Sequence, residues 1–207
     1  MAESNAIAER ADEVAPGVWR WWVQNELIGG AESTSHAVRA DGGVVFVDPV
    51  RLAEDALAAL GKVTAVCLTA QCHQRSAWRF RRELGARVCA PEGTRPMEEE
   101  PDDGYAEDDV LPAGLRAVRT PGPEETHYSF LLEREPRILF CSDLLTHYEG
   151  RELDFVPLRY HSDPEQTRRT VEGLLELDFA ILCLAHGAPL AADPKGAIRA
   201  LLERTAG

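Results

Sequence analysis

The chain has 207 residues, 44% of them hydrophobic and 7% aromatic, which excludes a disordered segment and suffices for a sizeable core without staples. Twenty-two Lys and Arg against 35 Asp and Glu give a net charge of −13, which argues against nucleic acid and against anionic membrane surfaces as partners. Much of that excess is local, because residues 98–109 (EEEPDDGYAEDD) hold eight acids and no base, leaving about −5 for the rest. No stretch approaches the ~20 apolar residues of a membrane span. Residues 1–13 are polar and acidic, unlike a secretory signal, and are expected to form a flexible tail ahead of a single domain over 14–207. The five cysteines are odd in number. Cys67, Cys89, Cys141 and Cys183 sit in or beside apolar runs, which reads as buried thiols in a reducing, cytoplasmic setting. Cys72 lies instead in a polar stretch, QCHQR.

In chain order, residues 18–25 (VWRWWVQN) read as an aromatic-rich strand turned by Gly29 and Gly30. HAVRA (36–40) continues as a second strand, and Asp41-Gly42-Gly43 signals a hairpin. VVFVDP (44–49) is a continuous apolar run, the mark of a strand covered on both faces. Residues 51–60 are Ala/Leu-rich helix formers stopped by Gly61. VTAVCLT (63–69) is a further buried strand. SAWRFRREL (76–84) reads as a helix with Ser76 as N-cap, Gly85 after its end, and Arg75, Arg79 and Arg82 on one side. RVCAP (87–91) is a strand, and the acidic run 98–109 is expected as an exposed loop. Three strands follow, over 115–121, 127–133 and 137–143. Residues 164–177 read as a helix with Asp163 as N-cap and Pro164 in its first position. FAILCLAHG (179–187) is a buried strand, and a last helix runs over 194–204.

Two stretches echo each other. Residues 44–73 and 137–187 each end an apolar strand in an aspartate, Asp48 or Asp143, cross a helix, and end a second strand near a histidine, His73 or His186. Sites in such folds gather where strands give way to loops.

Five landmarks then line up in order: VVFVDP, CLTAQCHQRSA, TPGPEETHYSFLL, ILFCSDLL and CLAHGAPL. Together they resemble the metallo-beta-lactamase superfamily over roughly residues 14–204. The resemblance implies an α/β protein built as a four-layer αββα sandwich, with its active site on one edge. It also implies a ligand set, and here the chain departs. Ala70 stands at the motif's first histidine, Cys72 at the second, Gln74 at the aspartate and Arg75 at the last histidine. Pro123 stands at the histidine after Thr-Pro-Gly. Asp143 and His186 alone match in kind.

Cys72 (or its neighbour His73), Asp143 and His186 are therefore the candidate metal ligands, since thiolate, imidazole and carboxylate are all zinc donors. Adjacent residues of an extended segment face opposite ways, so Cys72 and His73 are not expected to reach the same ion. Asp143 and Arg75 are the candidate catalytic or ligand-orienting residues, Arg75 bringing a fixed positive charge to a metal position. His127, His147 and His161 read as surface or hydrogen-bonded histidines. Two functions fit these residues. One is a non-catalytic or much altered member that binds a small ligand or a protein partner in the remnant cleft. The other is an atypical mononuclear hydrolase with one zinc, iron or manganese ion. The oligomeric state is open on either reading.

Overall fold

The computed structural model describes residues 4–206. Two sheets face each other. The first holds β1 (Asp12–Ala15), β2 (Val18–Asn25), β3 (Ala31–Ala40), β4 (Gly43–Val47), β5 (Val63–Cys67), β6 (Arg87–Pro91) and β7 (Asp103–Tyr105), in that order. The second is ordered β14 (Ile181–Leu184), β11 (Ile138–Cys141), β10 (Tyr128–Leu132), β9 (Leu115–Arg119) and β8 (Val110–Leu111). A small ribbon joins β12 (Leu145–Thr146) to β13 (Asp154–Phe155). Between the sheets, Val38, Val45, Val47 and Cys67 meet Leu115, Phe130, Ile138, Phe140 and Cys183.

Each sheet is hydrophobic on its outer face too, which is why the central strands read as unbroken apolar runs. The first outer face is covered by α1 (Glu54–Leu60) and α2 (Ala77–Leu84), with Phe46 held edge-on between Trp21 and Phe80 at ring centroids of 4.9 and 5.2 Å. The second is covered by α3 (Pro164–Gly173) and α4 (Pro194–Arg204), through Val171, Ile198 and Leu201 packed on Leu139 and Leu182. The layers therefore run α, β, β, α. Asp163 and Asp193 cap α3 and α4 by accepting from the third backbone N–H beyond them, Gln166 N and Gly196 N, with Pro in each first turn.

Three expectations need correction. Residues 4–13 are not a loose tail: Ala8 is buried and bridges Leu52, and Ser4 Oγ donates to Glu26 at 2.8 Å. The part of that expectation falling on residues 1–3 lies outside the described residues. The acidic run 98–109 is not wholly an exposed loop. Its centre is β7, paired parallel to β6, and Tyr105 is buried with its hydroxyl donating to Leu68 O at 2.6 Å. Beside this aromatic anchor, Asp103 pairs with Arg87 on β6 and Asp102 accepts from Val88 N at 2.9 Å, so the acids themselves help bring the segment onto the sheet. Ser76 makes no side-chain cap to α2; its φ of −97° and ψ of 13° keep it out of the extended geometry that capping needs.

What positions the site is strand direction. β4 and β5 are parallel, and so are β11 and β14, so all four deliver their C-terminal ends to one edge of the sandwich. The two sheets are tied there by Thr34 N donating to Ala185 O at 2.8 Å. Among the described residues, no helix is long and apolar enough to cross a membrane.

Candidate functional site

Asp48 leaves β4 with φ at +47°, a left-handed conformation that aspartate tolerates better than most residues. The turn aims its carboxylate inward. Oδ1 accepts from Thr69 N at 2.9 Å, and Oδ2 accepts from Thr69 Oγ1 at 2.6 Å. Asp48 thus holds the loop after β5, which carries the next residues.

That loop closes into a single 3-10 turn, Gln71–His73. Successive side chains of such a turn are about 120° apart rather than opposed. The expectation that Cys72 and His73 diverge therefore fails. Cys72 Sγ lies 3.5 Å from Asp143 Oδ2, and His73 Nε2 lies 3.1 Å from Asp143 Oδ1. The same oxygen meets His186 Nε2 at 2.9 Å. Asp143 is the hub, delivered by the end of β11, and His186 is delivered by the end of β14.

The far ring nitrogens are already committed. His73 Nδ1 lies 2.9 Å from Asp48 Oδ2, and His186 Nδ1 lies 2.7 Å from Glu32 O. Both partners only accept, so both Nδ1 atoms carry protons. Two Nε2 atoms then face one carboxylate oxygen that also only accepts. Each of those approaches requires a proton or a cation between the atoms.

Electrostatics follow from this crowding. Burial opposes the charged form of His73, but Asp143 and Asp48 outweigh it and raise the imidazole to about 9. Burial would raise Asp143, yet His73 and the hydrogen bond from His186 hold its carboxyl well below the usual carboxylate range. Burial likewise pushes the Cys72 thiol up, and the neighbouring Asp143 and Glu124 carboxylates push it further. His127 lies behind the hub: its Nε2 accepts from Asp143 N at 3.2 Å, and its Nδ1 donates to Thr120 O at 2.7 Å. Burial holds it neutral, lowered to about 4.

The remaining candidates do other work. Arg75 adopts φ of +40° and turns back, Nη1 donating to Thr34 O at 2.7 Å and to Asp48 O at 2.9 Å. Its other Nη sits 3.4 Å from His73 Nε2. Gln74 Oε1 accepts from Trp78 Nε1 and Glu98 N, so this side chain fastens α2 and the acidic run rather than facing the cleft. Ala70 and Pro123 are buried and offer no donor. Arg81 and Arg82 pair with Glu99, and Arg81 with Asp102, while Arg79 pairs with Glu83. Arg81 and Arg82 thus tie α2 to the acidic run at the surface. His147 donates from Nδ1 to Ala188 O at 3.1 Å, and His161 Nδ1 lies 2.7 Å from Thr167 Oγ1.

Among the described residues a single group has ligand atoms close enough to share an ion, so the residues do not fit two ions. They fit one. The ligand atoms of Cys72, His73 and Asp143 lie within 4.8 Å of one another, with His186 Nε2 on Asp143. Asp48 and Glu32 O would orient the two imidazoles from behind, the usual outer partners of metal-bound histidine. Above this cluster opens a cavity of about 1170 Å³. Its wall is largely apolar, with Leu27, Ile28, Phe155, Val156 and Pro157, and it also presents Glu124, Arg151 and Arg159. Glu124, Ser142 and His127 were missed as site residues in the sequence. Ser142 Oγ lies 3.0 Å from His73 Nδ1 and 2.7 Å from Thr69 Oγ1. The signal for Ser142 was adjacency to Asp143. For Glu124 it was an acid one residue beyond the vacated histidine position.

Comparison with known proteins agrees with the fold. No curated protein matches the chain. In fold, the chain is similar to the DIM-1 metallo-beta-lactamase exposed to ceftazidime, with a TM-score of 0.75 at 16% identity over 97% of this chain and 99% of that one. It is also similar to a metallo-beta-lactamase from Pontibacter korlensis, with a TM-score of 0.72 at 15% identity over 96% and 100% of the two chains. A metallo-beta-lactamase family protein from Thermus thermophilus gives 0.68 at 22% identity over 93% and 79%. At these identities the likeness speaks for the fold alone. The metallo-beta-lactamase superfamily model matches residues 70–186, more than half of the sequence and the span that carries Cys72, His73, Asp143 and His186. The chain belongs to the metallo-beta-lactamase superfamily.

Proposed function

We propose that this protein is a one-ion, hydrolase-like member of its superfamily that acts on a ligand held in the cleft. Cys72, His73, Asp143 and His186 hold a single zinc, iron or manganese ion. The observation that carries this reading is the pair of Nε2 atoms, 3.1 and 2.9 Å from the same Asp143 oxygen, whose partner Nδ1 atoms are already spent. A divalent ion at that point satisfies both nitrogens and the carboxylate at once, and supplies Lewis acidity towards a carbonyl or phosphoryl group. The chain's own residues do the rest. Asp48 and Glu32 O fix the imidazole orientations. His127 fixes the backbone of Asp143. The apolar wall excludes water from the ligand.

Metal analysis of protein purified without chelator tests this. Stoichiometric zinc, iron or manganese that disappears in Asp143→Ala and in His186→Ala is the expected result. Metal-free protein whose melting temperature does not rise with any of the three ions refutes it. That second outcome favours an ion-free ligand-binding protein, the reading supported by the Arg75 guanidinium standing 3.4 Å from His73 Nε2, where a cation is least welcome.

A further inference from the structure

Arg75 carries more donors than its anchorage uses. Both N–H bonds of Nη1 go to backbone carbonyls, Thr34 O at 2.7 Å and Asp48 O at 2.9 Å. Nη2 stands 3.4 Å from His73 Nε2. That nitrogen does not accept from it, because its lone pair is taken up by the proton or cation that Asp143 Oδ1 requires at 3.1 Å. Among the described residues Arg75 makes no ion pair, and Nη2 finds no other acceptor. Arg75 and His73 both line the cavity, so a fixed charge with unspent N–H donors stands on its floor beside the cluster. The backbone holds it there with φ of +40°, a conformation that a long side chain adopts only at a cost. Local charge points the same way. With an ion in place, the Cys72 thiolate and the Asp48 and Asp143 carboxylates outnumber a divalent cation, and the Arg75 guanidinium brings the floor to neutrality. The wall does not decide the sign. Arg151 and Arg159 are exposed and in no ion pair among the described residues, and Glu124 and Asp154 stand against them.

We propose that Arg75 Nη2 receives an anionic oxygen of the ligand, and that the ligand is an organic oxyanion, a carboxylate or phosphoryl head on an apolar body. Because Nη1 is already clamped, the guanidinium has little freedom left to lose when the head group binds. The head lies on the floor against Nη2, and the body lies along Leu27, Phe155 and Val156. This names the substrate class of the one-ion reading and rests on that reading for the chemistry that follows binding. The binding itself needs only Arg75 and the wall.

The test uses the full chain, before and after incubation with Zn²⁺, with hexanoate, hexylphosphonate and hexyltrimethylammonium as calorimetric probes. Wild type is expected to bind the anions at least about tenfold more tightly than the quaternary cation, and the tighter anion tells carboxylate from phosphoryl. Arg75→Gln should weaken the anions by about 10–100-fold, the range for losing a hydrogen bond to a charged group, without weakening the cation. Arg151→Gln and Arg159→Gln, combined in one variant at exposed positions, should keep the anion preference within about threefold. Thermal melting shows whether Arg75→Gln folds. If it does not, the double variant decides alone, a retained anion preference supporting the assignment and a lost one overturning it. Equal binding of anions and cation by wild type overturns the inference, and so does wild-type anion affinity in a folded Arg75→Gln. Zinc content is measured in the same samples, so failure of the one-ion reading shows as absent zinc whatever the anions do.

Discussion

Loading an ion onto Cys72, His73 and Asp143 has to expel protons, so the pH dependence of metal affinity counts them. Metal ligands must be deprotonated to bind. The Cys72 thiol is pushed well up by burial and by two carboxylates, and His73 is raised to about 9. Near pH 7 both therefore carry a proton that the ion must displace. Each displaced proton changes affinity about tenfold per pH unit, so two give about 100-fold, or roughly 2.7 kcal/mol per unit. Titration calorimetry with Zn²⁺ near pH 6.5 and 7.5, in buffers of different ionisation enthalpy, reads the number directly. At least two protons should be released, and Cys72→Ala should release one fewer than wild type. Release of fewer than two, or an affinity indifferent to pH, refutes the protonation states derived from the geometry. In the ion-free protein, the raised His73 value contributes stability that is complete below the unfolded imidazole value of 6.5 and is lost as pH climbs through about 9.

Asp48 works in the opposite sense. Its folded carboxyl is lowered, so its stabilisation is present above the unfolded value of 3.8 and is lost as pH falls below it; Asp48→Asn should flatten the acid limb of a stability–pH curve measured by urea midpoints. Arg75→Ala removes charged donors from two carbonyls and should destabilise by about 2–4 kcal/mol in urea unfolding, and Arg75→Lys, without the planar fork, should not restore the loss. Arg82→Ala breaks a surface pair with Glu99 and should cost less than about 1 kcal/mol in the same assay. Gly122→Ala meets both a left-handed φ and the backbone of Thr167, and should cost roughly 2–5 kcal/mol by thermal or urea denaturation.

The fold was legible because its central strands are unbroken apolar runs and its last two helices carry Asp-Pro starts, signals that are local in sequence. Asp143 and His186 were legible for a similar reason, as polar residues ending apolar strands. His73 was harder to place. An extended reading of QCHQR turned it away from Cys72, whereas a one-turn 3-10 helix brings both onto Asp143. Turn type is decided by what the loop is anchored to, here Asp48 across the sheet, and that contact spans 21 residues. Arg75 was read as a group facing an anion. Its left-handed backbone also spends Nη1 on two carbonyls, a role that charge and spacing alone do not reveal. Glu124, on the wall of the cleft, was lost among neighbouring acids because nothing local marks which glutamate lines a cavity.

The acidic run has a consequence for how this chain meets others of its kind. β7 is the last strand of the larger sheet, and its outer side offers unpaired backbone groups to any passing strand. Eight carboxylates lie on and around it over residues 98–109. Glu99, Asp102, Asp103 and Asp108 are paired with Arg81, Arg82, Arg87 and Arg116, so the fence around the strand that Tyr105 pins in place rests on the other acids of the run. The charge excess that began as a bulk property is thus a local guard on one seam of the sheet.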